Sequence, residues 1–526
     1  MAYTLIATTS GLSSGSADGN TSSITLPSGV EAVSGARLRG AVLNRLALLV
    51  NAFSAPIFVN ADNTAYPAQL ASPAVAPTLA TSGTGYTGTI HAKVQFLIKD
   101  IYGNVIGASE LSPASASLAC VNQGIAYSNI AVSPNPEVNA RRIYRTATLG
   151  TSYFWDVDID DNTTTSLTNA TADAALDLTA VDSGDYVATP GGLDNVIEHG
   201  GRAWGRSKAK PDSLYGSKLD DVTSWPIEIP TYPIGEEGSG ITGLAKRRDD
   251  LVIFKRKTIL KLVGDDEDSY AVRQIATGQS QGCISPDSVL VIRNTVYWLD
   301  SDGVWKLGDE DIPASLSDDT VKPWFTSTTY FNRSMFGQAF AAYDPRKHSY
   351  DLFLCSAGST TVDRYVSLDL LTGKWFGPHK LGAFTPSAAI VASDTGGNPQ
   401  LVLGASNGFT YAATVGNYSD GSSTAIDFDV YTKFHSGDEP DKTHIWLQPS
   451  IFTKKESAGT LSITPYVGQL DASAGTVISH DLTKERERVA RLGAGRLVQL
   501  RFQEATAAQG LELYGYEIPY VTRGRR

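Results

Sequence analysis

The stretch VYWLDSDGVWKL, residues 296–307, decides the fold: two apolar, aromatic-bearing strands flank a tight polar turn at Asp302 and Gly303. That is the signature of a β-hairpin, with Trp298 and Trp305 placed to fill a core between neighbouring sheets. Working outward, the same unit recurs in RAWGRS (from Ala203), LVIFKRKTILKL (from Leu251), YDLFLCSAGSTTVDRYVSL (from Tyr350) and LVLGASNGFTYAA (from Leu401), at intervals of 48, 45, 54 and 51 residues. A four-stranded propeller blade needs roughly 40–50 residues, so the period predicts an all-β β-propeller of about six blades. The apolar strands of residues 43–68, around a polar turn at Asn51 to Ser54, resemble the same unit, and strands from both chain ends are expected to close the ring.

Composition agrees. Charged residues are 19% of the 526 residues and Gly numbers 49, the balance of a turn-rich all-β chain that is too apolar for disorder. The formal charge of −12 argues against a constitutive binder of nucleic acid or anionic membrane. Three widely spaced cysteines cannot build a disulfide framework and suit a chain made in reducing cytoplasm. No signal peptide is legible, and no apolar run approaches the ~18 residues of a membrane span.

Around the propeller strands (36–70 and 190–424) the texture changes. Residues 1–35 are rich in Ser, Gly and Thr and read as an extended arm that orders only against something else. An Ala/Pro linker over 68–85 leads into 86–188, where short strands with turns at roughly ten-residue spacing predict an inserted fibronectin III/Ig-like sandwich without a disulfide. Residues 425–526 are again strand-like, either a last blade closing the propeller or a small docking sandwich.

No catalytic constellation is legible, and neither a cofactor nor a metal is expected. The seven histidines lack metal-ligand spacing and are read as surface or rim residues. Cys283 reads as a small buried hydrophobe. Asp156, Asp158 and Asp160 resemble a calcium loop but lack its Gly and its terminal Glu, so they are read as a solvated strand face. LDSDGVW resembles a sialidase Asp-box with the wrong spacing, and DLLTGKW a quinoprotein docking motif that occurs once. Basic residues crowd 246–261, and Arg247, Arg248, Lys255, Arg256 and Lys257, with Arg525 and Arg526 of the C-terminal RGRR, are candidate partner or subunit contacts. Asp265, Asp266, Glu267 and Asp268 are candidates for lining an acidic channel or loop.

Four stretches together resemble the tail nozzle (tail-hub, packaged-DNA stabilisation) proteins of short-tailed bacteriophages. They are GGRAWGR with LYGSKLDDVTSW (200–225), ITGLAKRRDDLVIFKRKTILKLVGD (241–265), GCISPDSVLVIRNTVYWLDSDGVWKL (282–307), and AAYDPRKHSYDLFL with DLLTGKW (341–375). ARRIYRT and DNTTTSL resemble the inserted fibronectin-like segments of such virion proteins. The resemblance implies a structural ring, a homohexamer, in the virion tail below the portal and adaptor ring proteins. Such a ring holds fibre, spike or needle proteins distally, retains packaged double-stranded DNA, and passes it during ejection. The competing expectations are a propeller adhesin that recognises host-surface glycan or protein and, less favoured, a propeller glycosidase.

Overall fold

A computed structural model describes residues 4–8, 11–15, 21–28, 30–33, 36–60, 62–68, 70–181, 189–190, 192–226, 232–233, 240–264, 266, 269–275, 281–318, 321–382, 385–394, 396–407, 409–413, 419–420, 424–506 and 509–523. They form small antiparallel sheets; among them α-helix is confined to the single turn Lys322–Thr326. The chain divides into two units, residues 1–377 with 386–412, and residues 378–385 with 413–526.

Six sheets of the first unit are meanders whose strands pair in chain order. Sheet I runs Arg39–Leu43, Leu46–Val50, Ile57–Val59, Ala65–Pro67; sheet II Leu193–His199, Arg202–Ser207, Lys210–Gly216, Tyr232–Pro233. Sheet III is Gly243–Arg247, Asp250–Phe254, Ile259–Val263, Ala271–Gln274; sheet IV Leu290–Ile292, Thr295–Asp300, Gly303–Leu307, Pro313–Ser315. Sheet V is Phe340–Asp344, Ser349–Leu354, Arg364–Asp369, Trp375–Lys380, and sheet VI has three strands, Pro386–Ser393, Pro399–Ala405, Thr410–Ala412. The repeat positions Ala203, Leu251, Val296, Tyr350 and Leu401 all fall in the second strand of their sheet, so the repeat was read in phase.

Each of sheets I to IV opens on a two-residue hairpin turn: Asn44-Arg45, Gly200-Gly201, Arg248-Asp249 and Arg293-Asn294. Asn44 and Arg45 (φ 46° and 67°) and Arg293 and Asn294 (48° and 69°) are left-handed at both central positions, the turn whose twist matches that of the strands. The alternation of side chains then feeds two cores from one strand. Ala203 packs with sheet I residues such as Leu48 and Phe58, and its neighbour Trp204 with Leu251 and Ile253 of sheet III. Val252 and Phe254 turn the other way, onto Val296, Trp298 and Trp305 of sheet IV. Leu299 and Val304 meet Tyr350, Leu352 and Val366 of sheet V. Stacking of successive sheets face to face explains why LVIF and VYWL are continuous apolar runs: both faces are buried. The fold is all-β and propeller-like.

Several expectations change. The arm is not extended: Thr4–Thr8, Gly11–Gly15 and Thr21–Ile24 pair with one another as a three-stranded sheet. The linker is shorter than the Ala/Pro run, because its Thr- and Gly-rich end, TLATSGTG, is the start of the long strand Thr78–Ile90. That strand joins Leu118–Ser128 and Leu167–Asn169 in one sheet; Val105–Ala108, Ala92–Lys99, Ala140–Thr146, Tyr153–Ile159 and Asp177–Val181 make the other. Tyr86, Ile90, Ile125 and Tyr127 of the first share a core with Ala92, Val94, Ile143 and Ile159 of the second. Thr223, between the third and fourth strands of sheet II, joins this pair of sheets to the repeat, accepting a hydrogen bond from Ala108 N at 3.1 Å.

Closure by strands from both ends is absent among the described residues: sheet I is contiguous and sheet VI is built from residues 386–412 alone. The second unit pairs its strands with one another around Trp446, Ile451, Leu461, Ile463, Val498, Leu500 and Phe502, so the region from 425 onward supplies no blade strand there.

Candidate functional site

The sheets of the first unit are tied together at Arg37 and Arg39, which enter sheet I side by side from GARLRGA. Arg39 grips Asp287 with Nε at 2.7 Å and Nη2 at 2.9 Å, and donates to Asp194 O of sheet II at 2.7 Å. Arg37 donates to the same Asp287 carboxylate at 2.8 Å, to Ala339 O before sheet V at 3.2 Å, to Gln338 O, and to Ser387 O of sheet VI at 2.6 Å. Asp194 in turn pairs with Arg206, which donates to Ile241 O before sheet III. Asp287 sits in the 3-10 turn before sheet IV, so one connected polar network reaches every repeat sheet. Burial works against the Arg39 charge, but hydrogen bonding and attraction to Asp287 outweigh it and raise its pKa. Burial likewise opposes ionisation of Asp287, and the two guanidiniums overcome it, lowering its pKa.

The predicted basic cluster is dispersed by burial. Arg247 lies under the surface, paired with Asp250 at 3.1 Å and with Asp311, and donates to Gly308 O at 2.6 Å. Lys255 is buried at the turn after LVIF, and its carbonyl accepts from Cys283 N at 2.9 Å. The segment leading to sheet IV crosses that turn so closely that a Cβ on Gly282 would lie 2.2 Å from Arg256 C, which requires glycine there. Arg248 remains exposed and pairs with Asp309 at 2.9 Å; Arg256 and Lys257 are exposed. Arg525 and Arg526 lie outside the described residues, as do Asp265, Glu267 and Asp268. Asp266 closes its own turn, accepting from Ser269 N at 2.8 Å.

Other titratable groups serve structure. Asp158, read as a solvated face, is instead bidentate with Arg142 at 2.6 and 2.9 Å and bound to Lys99 at 2.8 Å; Asp156 is buried against Arg145, and Asp160 alone is largely exposed. His199, His444 and His480 are buried, contrary to the surface reading; inside, His480 Nε2 meets Thr453 Oγ1 at 2.9 Å and His444 Nε2 meets Glu439 O at 2.9 Å. Cys283 is fully buried and its thiol is pushed up to about 12, which suits a packing role. Among the described residues no His, Cys, Asp or Glu group has metal-binding geometry, and no helix is long and apolar enough to cross a membrane.

The second unit holds two clefts. One, of about 470 Å³, is lined by Lys433, His435, Asp438, Trp446, Tyr516 and Tyr520, with His435 Nε2 against Tyr516 Oη at 2.8 Å. The other, of about 730 Å³, has an apolar floor including Val467, Val489 and Leu492 and a rim carrying Arg488 and Arg491. The charge is divided unevenly: the second unit has 14 Lys and Arg against 14 Asp and Glu, so the entire −12 resides in the first, with 29 against 41. The hub arginines and this rim were both missed by sequence reasoning, which weighted runs of charge; the alternating pair in ARLRG was the available signal for the hub.

No family model matches the chain, and no curated protein matches it. Among solved structures it is similar to PorZ, a bacterial surface component of the type-IX secretion system of Porphyromonas gingivalis, at 9% identity and TM-score 0.26, covering 99% of this chain and 80% of that one. Hsv2 of Kluyvelomyces marxianus is similar at 9% identity and TM-score 0.22 (57% and 91% covered), and an endo-arabinase of Bacteroides thetaiotaomicron at 12% and 0.21 (56% and 89%). Similarity this distant bears on neither substrate nor partner.

Proposed function

We propose that the chain is a structural virion protein, the nozzle ring of a short-tailed phage tail, with sheets I to VI as six propeller blades and the two-sheet domain inserted between the first and second. The observation that carries this reading is the network of Arg37, Arg39, Asp287, Asp194 and Arg206. It spends its charges and donors on linking sheets to one another, which suits a load-bearing body. In a homohexamer below the portal and adaptor, the −12 per copy becomes −72, and a negative lining repels phosphate and lets a duplex slide. Mass photometry of the purified chain, alone and with its adaptor ring, tests the assembly, and immunogold labelling of particles tests the location. A ring-forming chain on the tail is the expected outcome; a monomer absent from particles would remove the proposal. Filter binding tests the lining, where tight, salt-sensitive retention of duplex DNA by the ring contradicts a slippery channel.

One observation favours the adhesin reading: the cleft of Tyr516, Tyr520 and His435 over the buried Trp446, whose rings with flanking Lys433 and Asp438 suit a sugar ring. Glycan-array binding that disappears in Tyr516→Ala would support it over the nozzle.

A further inference from the structure

The larger cleft of the second unit lies where three sheets expose their edges. Its lining includes Ile478 and Ser479 of the strand Ile478–Asp481, Glu487 and Arg488 of Arg486–Arg488, and Ala494 of Gly493–Gly495. Among the described residues each of these strands is the outermost of its sheet, pairing on one side only, with Thr460–Gly468, Ser450–Thr453 and His444–Trp446 respectively. Three strand edges thus converge on one apolar-floored groove, with Val477, 57% exposed, at its lip. Open edges of this kind accept an added strand, the backbone supplying hydrogen bonds and alternate side chains filling the floor. Arg488 and Arg491 are exposed, and no ion pair ties either of them among the described residues, while the lining carboxylate of Glu487 is engaged by Lys484 and by Asp481 N at 2.9 Å, so the groove favours a segment that brings acceptors and no cations.

We infer that this groove receives the N-terminal arm of a second copy of the chain by strand addition. The arm fits chemically. Residues 1–36 contain no Lys or Arg, Asp18 offers a carboxylate, and TLIAT sets three apolar side chains, Leu5, Ile6 and Ala7, between two threonines. Among the described residues its strands Thr4–Thr8, Gly11–Gly15 and Thr21–Ile24 pair only with one another, which leaves the outer edges of that small sheet for exchange. Arm into groove is a head-to-tail contact, which closes into a ring when repeated by rotation. The inference rests on the nozzle reading only in expecting that copies meet this way.

The test is fluorescence anisotropy of a labelled peptide of residues 2–24 against a chain lacking residues 2–20, which keeps the buried Ile24. Micromolar, saturable binding is expected, weakened roughly tenfold or more in Arg488→Glu/Arg491→Glu and in Val477→Lys. These are exposed positions whose melting curves should match the parent. In parallel, mass photometry should show the full chain assembling and the truncated chain monomeric. Absence of peptide binding, equal binding by the variants, unchanged assembly after truncation, or a concentration-independent monomer filling its own groove would each overturn the inference. Binding by a chain that never enters a particle would sink the nozzle reading and leave this contact standing.

Discussion

The repeat sheets and the two-sheet domain handle burial in opposite ways. In sheets III and IV both faces of a strand are apolar, and each face meets a neighbouring sheet. In the strand Ala140–Thr146, ARRIYRT, Ile143 points into the core while Arg141 and Arg145 share its face and plug the core's two ends. Arg145 is fully buried yet satisfied, by Asp173 at 2.6 Å, Thr171 O at 2.6 Å, Thr146 O at 3.1 Å and the buried Asp156. Burial opposes its charge and the carboxylates overcompensate, while Asp173 is brought down to about 2, burial opposing and Arg145 prevailing. A sheet with neighbours on both sides can be apolar throughout; a small two-layer domain has open ends, and here paired charges close them. The hub falls between the two, with a polar network tying apolar-faced sheets.

The comparison breaks first at the apolar faces. Trp298 is buried between sheets III and IV, its ring tilted 48° to that of Phe254 with centroids 5.0 Å apart, and donates to Gly282 O at 2.8 Å. Trp298→Ala is expected to cost about 3–5 kcal/mol in denaturant unfolding of the full chain, the range for large aromatic truncations. A loss under 1 kcal/mol would mean the sheets are not held by this face. The hub comes next. Asp287→Ala leaves two half-buried guanidiniums facing each other, and on the order of 3 kcal/mol should be lost. The triple change Arg37→Met/Arg39→Met/Asp287→Leu should recover much of it; failure to recover would show that the backbone acceptors at Asp194, Ala339 and Ser387 matter more than the ion pairs.

How much of this was legible follows from the same contrast. Long apolar strands at a near-fifty-residue period carry their own signal, so sheets II to VI were in phase before any coordinates. The strand Arg39–Leu43 was missed, because Asn44-Arg45 lies inside LNRLALLV and a left-handed Arg is not a recognised turn residue. Asp158 was misread because its partner Arg142, directly opposite in the antiparallel register, is sixteen residues away; the pairing appears only when ARRIYRT and YFWDVDI are laid against each other. Of the hub, only the arginine pair in ARLRG carried a local signal. Its carboxylate lies 248 residues from Arg39, and nothing local in SPDS distinguishes Asp287 from a turn residue.

A titration probes the junction between the two regions. Asp221 is fully buried between the third and fourth strands of sheet II, and burial lifts its pKa to about 6 despite hydrogen bonds to Oδ1 from Thr223 N at 2.8 Å and Thr223 Oγ1 at 2.7 Å. Because the folded value exceeds the unfolded one, the proton favours the fold. Below about pH 4 both states hold it and no penalty arises; from about pH 4 to 6 only the unfolded state ionises and stability falls; above about pH 6 the penalty is complete, roughly 2–3 kcal/mol. Asp221→Asn keeps the Oδ1 acceptor for Thr223 and should remove that slope and raise stability at pH 7. Equal slopes in parent and variant would place the titration elsewhere.

The smallest expected effect lies on the outer face of ARRIYRT, and it separates burial from pairing. Arg142 makes the same bidentate contact with a carboxylate as Arg39 of the hub, and its guanidinium also stacks 3.9 Å over Trp155. Both side chains of the pair retain some solvent contact, 17% for Arg142 and 14% for Asp158, close to the 18% and 17% of the hub pair. Geometry and exposure being matched, the difference is connectivity: Arg142 and Asp158 are cross-strand neighbours in one sheet, already held in register by backbone hydrogen bonds, whereas the hub pair spans sheets. A double-mutant cycle of Arg142→Ala and Asp158→Ala should therefore return a coupling of about 1 kcal/mol, since the ladder persists without the pair. The corresponding cycle for Arg39 and Asp287 should return two to three times as much. Equal couplings would show that the local ion pair alone sets the energy and that tying sheets together adds nothing.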